Sequence, residues 1–128
     1  MKIQLKGWKV KQLSFKINDK PSKVSKKNSF NLSVGHSFSE DNDREFGIGF
    51  IIMIRDAEFS IKLEMLFLFQ IDQHIDEDFK QSDFVKINAP AIAFPYVRSY
   101  ISNFTLQSGF DPIILPSVNF VAFGKNND

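Results

Sequence analysis

Apolar residues, with one histidine at position 36, occupy every second position in three successive stretches of the chain, residues 30–38, 46–54 and 59–71. Alternation with a period of two is typical of β-strands that bury one face. The links between the stretches are short and polar, and the first of them contains Glu-Asp-Asn-Asp at residues 40–43. Short polar links favour antiparallel pairing of neighbouring strands. The pattern therefore predicts an antiparallel β-meander.

The opening residues predict a fourth, irregular strand. Ile3 and Leu13 share one parity, whereas Trp8 between them has the opposite parity. A long strand that is interrupted by β-bulges shifts its side chains in this way, and Gly7 is a natural position for the bend. Residues 18–22, Asn-Asp-Lys-Pro-Ser, are then expected to form a turn.

The second face of the predicted sheet carries an unusual apolar group. Ile51 and Met53 belong to the third strand, and Leu66 and Leu68 belong to the fourth. The other residues on this face are mostly glycine or polar. Because a solvated sheet face would not collect four large apolar side chains, we expect this face to be covered.

One long helix is predicted near the end of the chain. Asn88 is expected to cap its start, Pro90 suits the first turn, and Gly109 is the expected C-cap. Pro95 removes a backbone donor within the helix, so it predicts a kink or a later start.

This helix has two apolar stripes, which is more than one sheet face can bury. One stripe contains Ile92, Tyr96, Tyr100 and Asn103, and the other contains Phe94, Val97, Ile101 and Phe104. The surplus apolar surface of the helix and the sheet predicts a homo-oligomer. We expect its interface at Ile51, Met53, Leu66, Leu68, Tyr100 and Phe104.

Composition narrows the class of protein. Apolar residues make up 43% of the chain, which suits one globular domain, predicted over residues 1–123 with a disordered end at 124–128. Fifteen phenylalanines suit either a large core or an adhesive surface. The chain has no cysteine, and its first residues contain scattered lysines without an apolar run. We therefore expect a cytoplasmic protein without disulfides, signal peptide or membrane insertion.

The charge distribution and the histidines raise three alternatives. Between Lys2 and Lys27 there are nine lysines and one acid, but the absence of arginine favours a solvated edge strand over nucleic-acid binding. His36 lies on an apolar parity, which favours a partly buried, hydrogen-bonded side chain. His74 lies among acids that lack calcium-loop spacing, which favours a solvated acidic loop over a metal site.

No motif of an enzyme is present in the sequence. Gly-x-Ser-x-Gly, a Walker motif and His-Glu-x-x-His are all absent. We therefore expect no catalytic residues, no metal and no cofactor.

The last third of the chain resembles the SecB family. Residues 89–98, Ala-Pro-Ala-Ile-Ala-Phe-Pro-Tyr-Val-Arg, are similar to the opening of the SecB helix. Residues 109–112 and 115–120 are similar to the turn and the proline-containing segment that follow that helix. Residues 13–15, Leu-Ser-Phe, match the motif of the family's first strand.

The resemblance implies an α+β fold and a chaperone function. The fold is a four-stranded antiparallel β-meander followed by one long helix packed on the sheet, assembled as a dimer of dimers. The function is that of an ATP-independent holdase that binds unfolded or precursor polypeptides in apolar grooves during protein export. The implied groove residues are Phe30, Leu32, Val34, Ile92, Tyr96, Phe110, Ile113, Leu115 and Phe120.

The chain also departs from the family. Export chaperones of this family hand clients to the SecA motor through acids beside the first-strand motif, so the resemblance implies SecA as a partner. Here Gln12 and Lys16 flank that motif, although Glu64 keeps one acid of that surface. The family's second helix and acidic tail are expected to be almost absent. These departures count against delivery to SecA.

Two other functions compete with the general holdase. The first is a SecB-like chaperone dedicated to the antitoxin of a toxin–antitoxin pair. The second is a small-ligand-binding protein or enzyme that uses the sheet face, which would require convergent polar groups in a pocket.

Overall fold

The computed structural model describes the backbone of residues 1–20 and 29–126. Side chains are described for the same residues up to Phe123. Its elements are β1 (Ile3–Ile17), β2 (Ser29–Phe38), β3 (Glu45–Arg55), β4 (Phe59–Ile71), α1 (Glu77–Lys80), a π-helical turn (Phe84–Asn88), α2 (Ala89–Gln107) and α3 (Phe120–Asn126). The chain divides into two compact units, a sheet unit (Met1–Asp72) and a helical unit (Gln73–Asp128).

The prediction of a four-stranded antiparallel sheet followed by one long helix is confirmed. The strand order is β1-β4-β3-β2, and every neighbouring pair is antiparallel. The meander comprises β2, β3 and β4, whereas β1 pairs with β4 on the far side, which is a Greek-key order. The predicted turn after β1 lies partly outside the described residues, because Pro21 and Ser22 are not among them.

One face of the sheet forms the core of the sheet unit. Its central side chains, each no more than 3% exposed, are Phe46, Ile48, Phe50, Ile52, Ile54, Phe59, Ile61, Leu63, Met65, Phe67, Phe69 and Ile71. Eight of the fifteen phenylalanines in the chain are buried, namely Phe46, Phe50, Phe59, Phe67, Phe69, Phe79, Phe94 and Phe120. The phenylalanine excess therefore serves mainly to build a core.

The predicted bulges of β1 are confirmed. The pairing of β1 with β4 shifts between Leu5 and Gly7 and again between Val10 and Gln12. Each shift adds one residue to β1, so that Trp8 pairs with Phe67 and stacks on it with ring centroids 6.2 Å apart. The bulges thereby return the apolar residues of β1 to the face that carries the core.

The acidic stretch after β4 begins a helix that the sequence did not predict. The Asp76 carboxylate caps α1 by accepting a hydrogen bond from the backbone N–H of Phe79 at 2.8 Å. Glu77 and Asp78 occupy the first turn, where carboxylates interact favourably with the helix dipole. The prediction of a loop around these acids is therefore wrong in part.

Within residues 1–20 and 29–126 no group of His, Cys, Asp and Glu is arranged to hold a metal ion.

The start of α2 differs from the prediction. Asn88 makes no side-chain capping hydrogen bond, because its backbone is already helical at the end of the π-helical turn. The π-helical turn at Phe84–Asn88 runs directly into α2, so its backbone hydrogen bonds take the place of a side-chain cap. Because α2 begins at Ala89, before Pro95, the alternative of a later start is wrong.

The predicted end of α2 at Gly109 is confirmed. Gly109 has a φ of 95°, its N–H donates to the Leu106 carbonyl at 3.1 Å, and the Phe110 N–H donates to the Thr105 carbonyl at 3.0 Å. This pair of hydrogen bonds is a Schellman motif. It turns the chain sharply into residues 111–119, which lead to α3. The backbone of α3 ends at Asn126, and residues 127–128 of the predicted disordered end lie outside the described residues.

We predict that Gly109→Ala destabilises the protein by about 1–2 kcal/mol, because an L side chain is strained at positive φ. Gly35→Ala is the matched control, since a Cβ at Gly35 would meet nothing within 4 Å and its φ is not positive. Urea unfolding of both variants measures the difference. Equal stabilities of the two variants would contradict the role of Gly109.

Candidate binding surfaces

Helix α2 separates its two apolar stripes cleanly. Ala93, Val97 and Ile101 are fully buried, whereas Ile92 is 43% exposed and Tyr96 is 40% exposed. The buried stripe packs inside the molecule, whereas Ile92 and Tyr96 of the second stripe keep a large exposed surface. α2 therefore presents apolar side chains that remain available for binding.

The segment after α2 adds the most exposed of the large apolar side chains among the described residues. Ile114 is 78% exposed, whereas its neighbours Ile113 and Leu115 are 5% and 2% exposed. An extended chain directs successive side chains to opposite sides, which accounts for this alternation. Ile114 was not among the predicted groove residues, although the run Ile-Ile-Leu between two prolines signals such an alternation.

Two polar side chains of α2 hold this segment in place. The buried hydroxyl of Thr105 accepts a hydrogen bond from the Ile113 N–H at 2.9 Å and lies 2.9 Å from the Ile101 carbonyl, to which it can donate. Arg98 donates through Nε to the Leu115 carbonyl at 3.0 Å. These hydrogen bonds fix the backbone on both sides of Ile114 and so determine which way its side chain points.

A depression of about 270 Å³ lies beside Ile114 within the helical unit. It is lined by Pro95, Arg98, Ser99, Ser102, Ile114 and Leu115. Proline at position 95 leaves no backbone N–H there, and its exposed ring forms part of the apolar wall. The depression is large enough for an apolar side chain of another molecule.

The face of the sheet opposite the core is exposed and is here called the outer face. Ile51, Met53 and Leu68 are 38%, 42% and 42% exposed on it, and Leu66 is half-buried. The described part of the chain thus leaves this face open, and the expectation that it is covered in an oligomer stays a prediction.

A concavity of about 410 Å³ is open on the outer face. Its lining includes Lys6, Lys9, Gly47, Gly49, Leu66 and Leu68. The glycines create this concavity, since a Cβ at Gly47 would approach the Ser37 hydroxyl to 2.7 Å and one at Gly49 would lie 3.3 Å from a Leu66 methyl group.

Two polar contacts of the sheet unit involve charged side chains. Lys11 and Glu64 form an ion pair on the outer face with Nζ and Oε2 3.3 Å apart. At the end of β4, the backbone N–H of Lys2 donates to the Asp72 carboxylate at 3.0 Å. That hydrogen bond lowers the pKa of the exposed Asp72 carboxyl.

Comparison with known proteins identifies the family. The family model described as preprotein translocase subunit SecB matches residues 1–127. The chain belongs to the SecB family. It is 31% identical to the protein-export protein SecB of Orientia tsutsugamushi strain Boryong, over 98% of this chain and 82% of that protein. It is 28% identical to an uncharacterized protein of Methanocaldococcus jannaschii, over 97% of this chain and 83% of that protein.

Two solved structures have a similar fold. The first is a SecB-like chaperone of Mycobacterium tuberculosis in complex with a ChAD peptide from an antitoxin, with a TM-score of 0.71 and 14% identity over 91% of this chain and 87% of that one. The second is a protein of unknown function from Streptococcus agalactiae, with a TM-score of 0.58 and 13% identity over 91% and 98% of the two chains.

The groove residues implied by the SecB resemblance fall into three groups. Ile92 and Tyr96 are exposed on α2, and Phe110 is half-buried just after it. Phe30, Leu32 and Val34 are half-buried along the edge strand β2. Ile113, Leu115 and Phe120 are at most 5% exposed.

The buried group packs within the helical unit, and its assignment to a peptide groove stays a prediction. The backbone hydrogen bonds to Thr105 and Arg98 turn Ile113 and Leu115 inward, and Phe120 packs edge-on against Phe94 with ring centroids 5.7 Å apart. In this conformation the three side chains support the segment and have little surface to offer a peptide.

The remaining predicted residues of this SecB-family chain are also located. Tyr100 and Phe104 are half-buried on α2 and stack with ring centroids 6.1 Å apart. His36 is exposed beside Phe38, because β2 is an edge strand. Its predicted partial burial is therefore wrong.

Across residues 1–20 and 29–126, no helix combines the length and hydropathy that a membrane crossing requires.

We predict that Thr105→Val destabilises this SecB-family protein by about 1–3 kcal/mol, because it leaves the buried Ile113 N–H without an acceptor. Thr105→Ser is the control, since it keeps the hydroxyl and removes only a methyl group. Hydrogen exchange of the Ile113 amide distinguishes the two effects. Protection should fall in the valine variant and persist in the serine variant, and equal protection would contradict the assigned contact.

Proposed function

We propose that this protein is a cytoplasmic, ATP-independent holdase that binds unfolded polypeptides and takes part in protein export. Membership of the SecB family supports a chaperone role. The observation that carries the proposal is the exposure of Ile92, Tyr96 and Ile114. On one side of each, the next residue along the chain is buried, namely Ala93, Val97 and Leu115. These three side chains, with the depression beside Ile114, are here called the client surface.

The physical properties of the client surface suit a holdase. Apolar contact is non-directional, so such a surface accepts many sequences that share only exposed apolar side chains. A folded protein buries most of its large apolar side chains, whereas an unfolded chain exposes them. Binding through the client surface would therefore select the unfolded state and would need no bond chemistry.

A second set of contacts is proposed on β2. Phe30, Leu32 and Val34 pair in register with Ile54, Ile52 and Phe50 of β3, and each remains half-buried. Their exposed parts offer a row of apolar side chains at every second position along the strand. We assign this row to the binding of further client segments.

A homo-oligomer, and specifically a tetramer, is proposed through α2. Tyr100 and Phe104 form a stacked aromatic pair that is only half-buried. Aromatic pairs with exposed surface are common at the centres of protein interfaces. The pair is therefore assigned to contacts between subunits.

The second candidate function is a chaperone dedicated to an antitoxin. The observation that favours it is the charge beside the first-strand motif, where Gln12 and Lys16 stand at positions that are acidic in export chaperones. A protein of similar fold, the SecB-like chaperone of Mycobacterium tuberculosis, binds a ChAD peptide from an antitoxin. Delivery to SecA is the part of the export role that this candidate would replace.

We predict tight binding of a reduced, unfolded model client without nucleotide, and no binding of the same client in its folded form. Ile114→Ser should weaken binding of the unfolded client about tenfold, because it removes a large exposed apolar contact. Ile17→Ser is the matched control, since Ile17 is 56% exposed but lies outside the client surface. Fluorescence anisotropy of a labelled client measures all four cases.

Two results would contradict this assignment. Equal loss of affinity in the Ile114 and Ile17 variants would show that exposed apolar area alone, rather than the client surface, binds the client. Binding of neither form of the client would overturn the general holdase and favour the dedicated chaperone, which the same assay would then test with antitoxin segments.

We predict a solution mass of about four protomers, as expected for a dimer of dimers. Phe104→Glu should shift the mass to smaller species, because it introduces a charge into the proposed subunit contact. Leu106→Glu is the control, since Leu106 is 55% exposed on the same helix and is not assigned to the interface. Native mass spectrometry measures both variants. An unchanged mass of Phe104→Glu would contradict the assignment of Phe104 to the subunit contact.

A further inference from the structure

The outer face of the sheet combines cationic and apolar side chains in one plane. Its cations are Lys6, Lys9, Lys11, Lys16, Arg55 and Lys62. Two acids share the outer face, Glu64 and Glu45, and Lys11 already pairs with Glu64 at 3.3 Å. The outer face is therefore positive, although the net charge of the whole chain is only +1.

The cations flank an apolar strip towards its two ends, since Lys9 lies opposite Leu66 and Lys62 lies opposite Met53. Lys6 and Lys9 line the concavity of 410 Å³ together with Leu66 and Leu68. At the other end, Lys16, Arg55 and Lys62 line a depression of 230 Å³. Ile51 and Met53 continue the strip on β3, between these two ends.

We propose that the outer face binds a negatively charged, apolar segment of a second protein. The apolar side chains of that segment would occupy the concavity above Gly47 and Gly49, which the described side chains leave open. Its carboxylates would pair with the lysines at the two ends of the strip. Charge complementarity of this kind speeds association and discriminates between partners.

A second copy of this chain fits the outer face poorly. A two-fold symmetric contact brings the same patch onto itself, so the excess of cations that includes Lys9 and Lys62 would face an equal excess on the second copy. The repulsion between like charges opposes such a contact. The outer-face residues Ile51, Met53, Leu66 and Leu68, which the sequence assigned to the oligomer interface, are therefore reassigned to a partner of opposite charge.

Other anionic partners account for the outer face less well. Nucleic acids are bound through phosphates and stacked bases, which would leave Ile51, Met53 and Leu68 without a role. An anionic membrane suits a face from which apolar side chains protrude, whereas Leu66 and Leu68 here line a concavity. An acidic peptide uses both the cations and the apolar concavity.

A pair of synthetic peptides tests the proposal. In the first, leucine alternates with aspartate, and in the second lysine replaces every aspartate. The full-length protein should bind the acidic peptide at least about tenfold more tightly than the basic one, and the difference should shrink as salt is added. Amide shifts in NMR spectra should change at Leu66 and Leu68 when the acidic peptide binds.

Charge reversal supplies the matched variants. Lys9→Glu with Lys62→Glu should weaken binding of the acidic peptide about tenfold, because two attractions become repulsions. Lys20→Glu with Lys86→Glu changes the net charge equally at exposed lysines outside the outer face and should have little effect. Both double variants should still bind the unfolded client, so a failure of this proposal is distinguishable from a failure of the holdase function.

Several outcomes would overturn the proposal. Equal affinity for the acidic and basic peptides, or amide shifts confined to the helical unit, would remove the outer face as the binding site. Binding to vesicles of phosphatidylserine and phosphatidylcholine without peptide preference would assign the face to a membrane. A lower solution mass of Leu68→Ser would assign it to a second copy of the chain.

Discussion

Successive side chains of an extended backbone point to opposite sides, and most of this molecule depends on that constraint. On β3 and β4 it separates a core that includes Phe50 and Phe67 from the outer face. In the segment after α2 it turns Ile113 and Leu115 inward and Ile114 outward. Both the outer face and part of the client surface therefore result from packing the alternate residues.

Polar contacts hold the backbone of the segment after α2 in place, and so decide which of its alternating side chains face outward. Without the Thr105 hydroxyl and the Arg98 guanidinium, the backbone around Ile114 would lack the partners that fix it against α2. A buried N–H without an acceptor is costly, so these hydrogen bonds specify one arrangement rather than merely adding stability. The same side chains that look like ordinary helix residues in the sequence thus orient a binding surface.

Particular elements illustrate how much could be predicted. The phase slip around Gly7 correctly predicted the bulges of β1, because parity follows directly from the order of residues. The motif of the SecB helix correctly indicated the family, and Gly109 correctly marked the end of α2. The cap at Asn88 was wrong, since a π-helical turn precedes α2 and depends on hydrogen bonds with no clear sequence signal.

The sequence by itself determined the four strands, the long helix and the family, because hydrophobic period and turn residues are local properties. Only the tertiary structure decided which apolar residues stay exposed. Leu115 and Phe120 were predicted to line a groove, yet both are buried, whereas Ile114, which was not predicted, is exposed. It also decided that β1 pairs with β4 and that lysines surround the apolar strip of the outer face. Exposure and charge clustering depend on contacts between distant residues, which no local pattern contains.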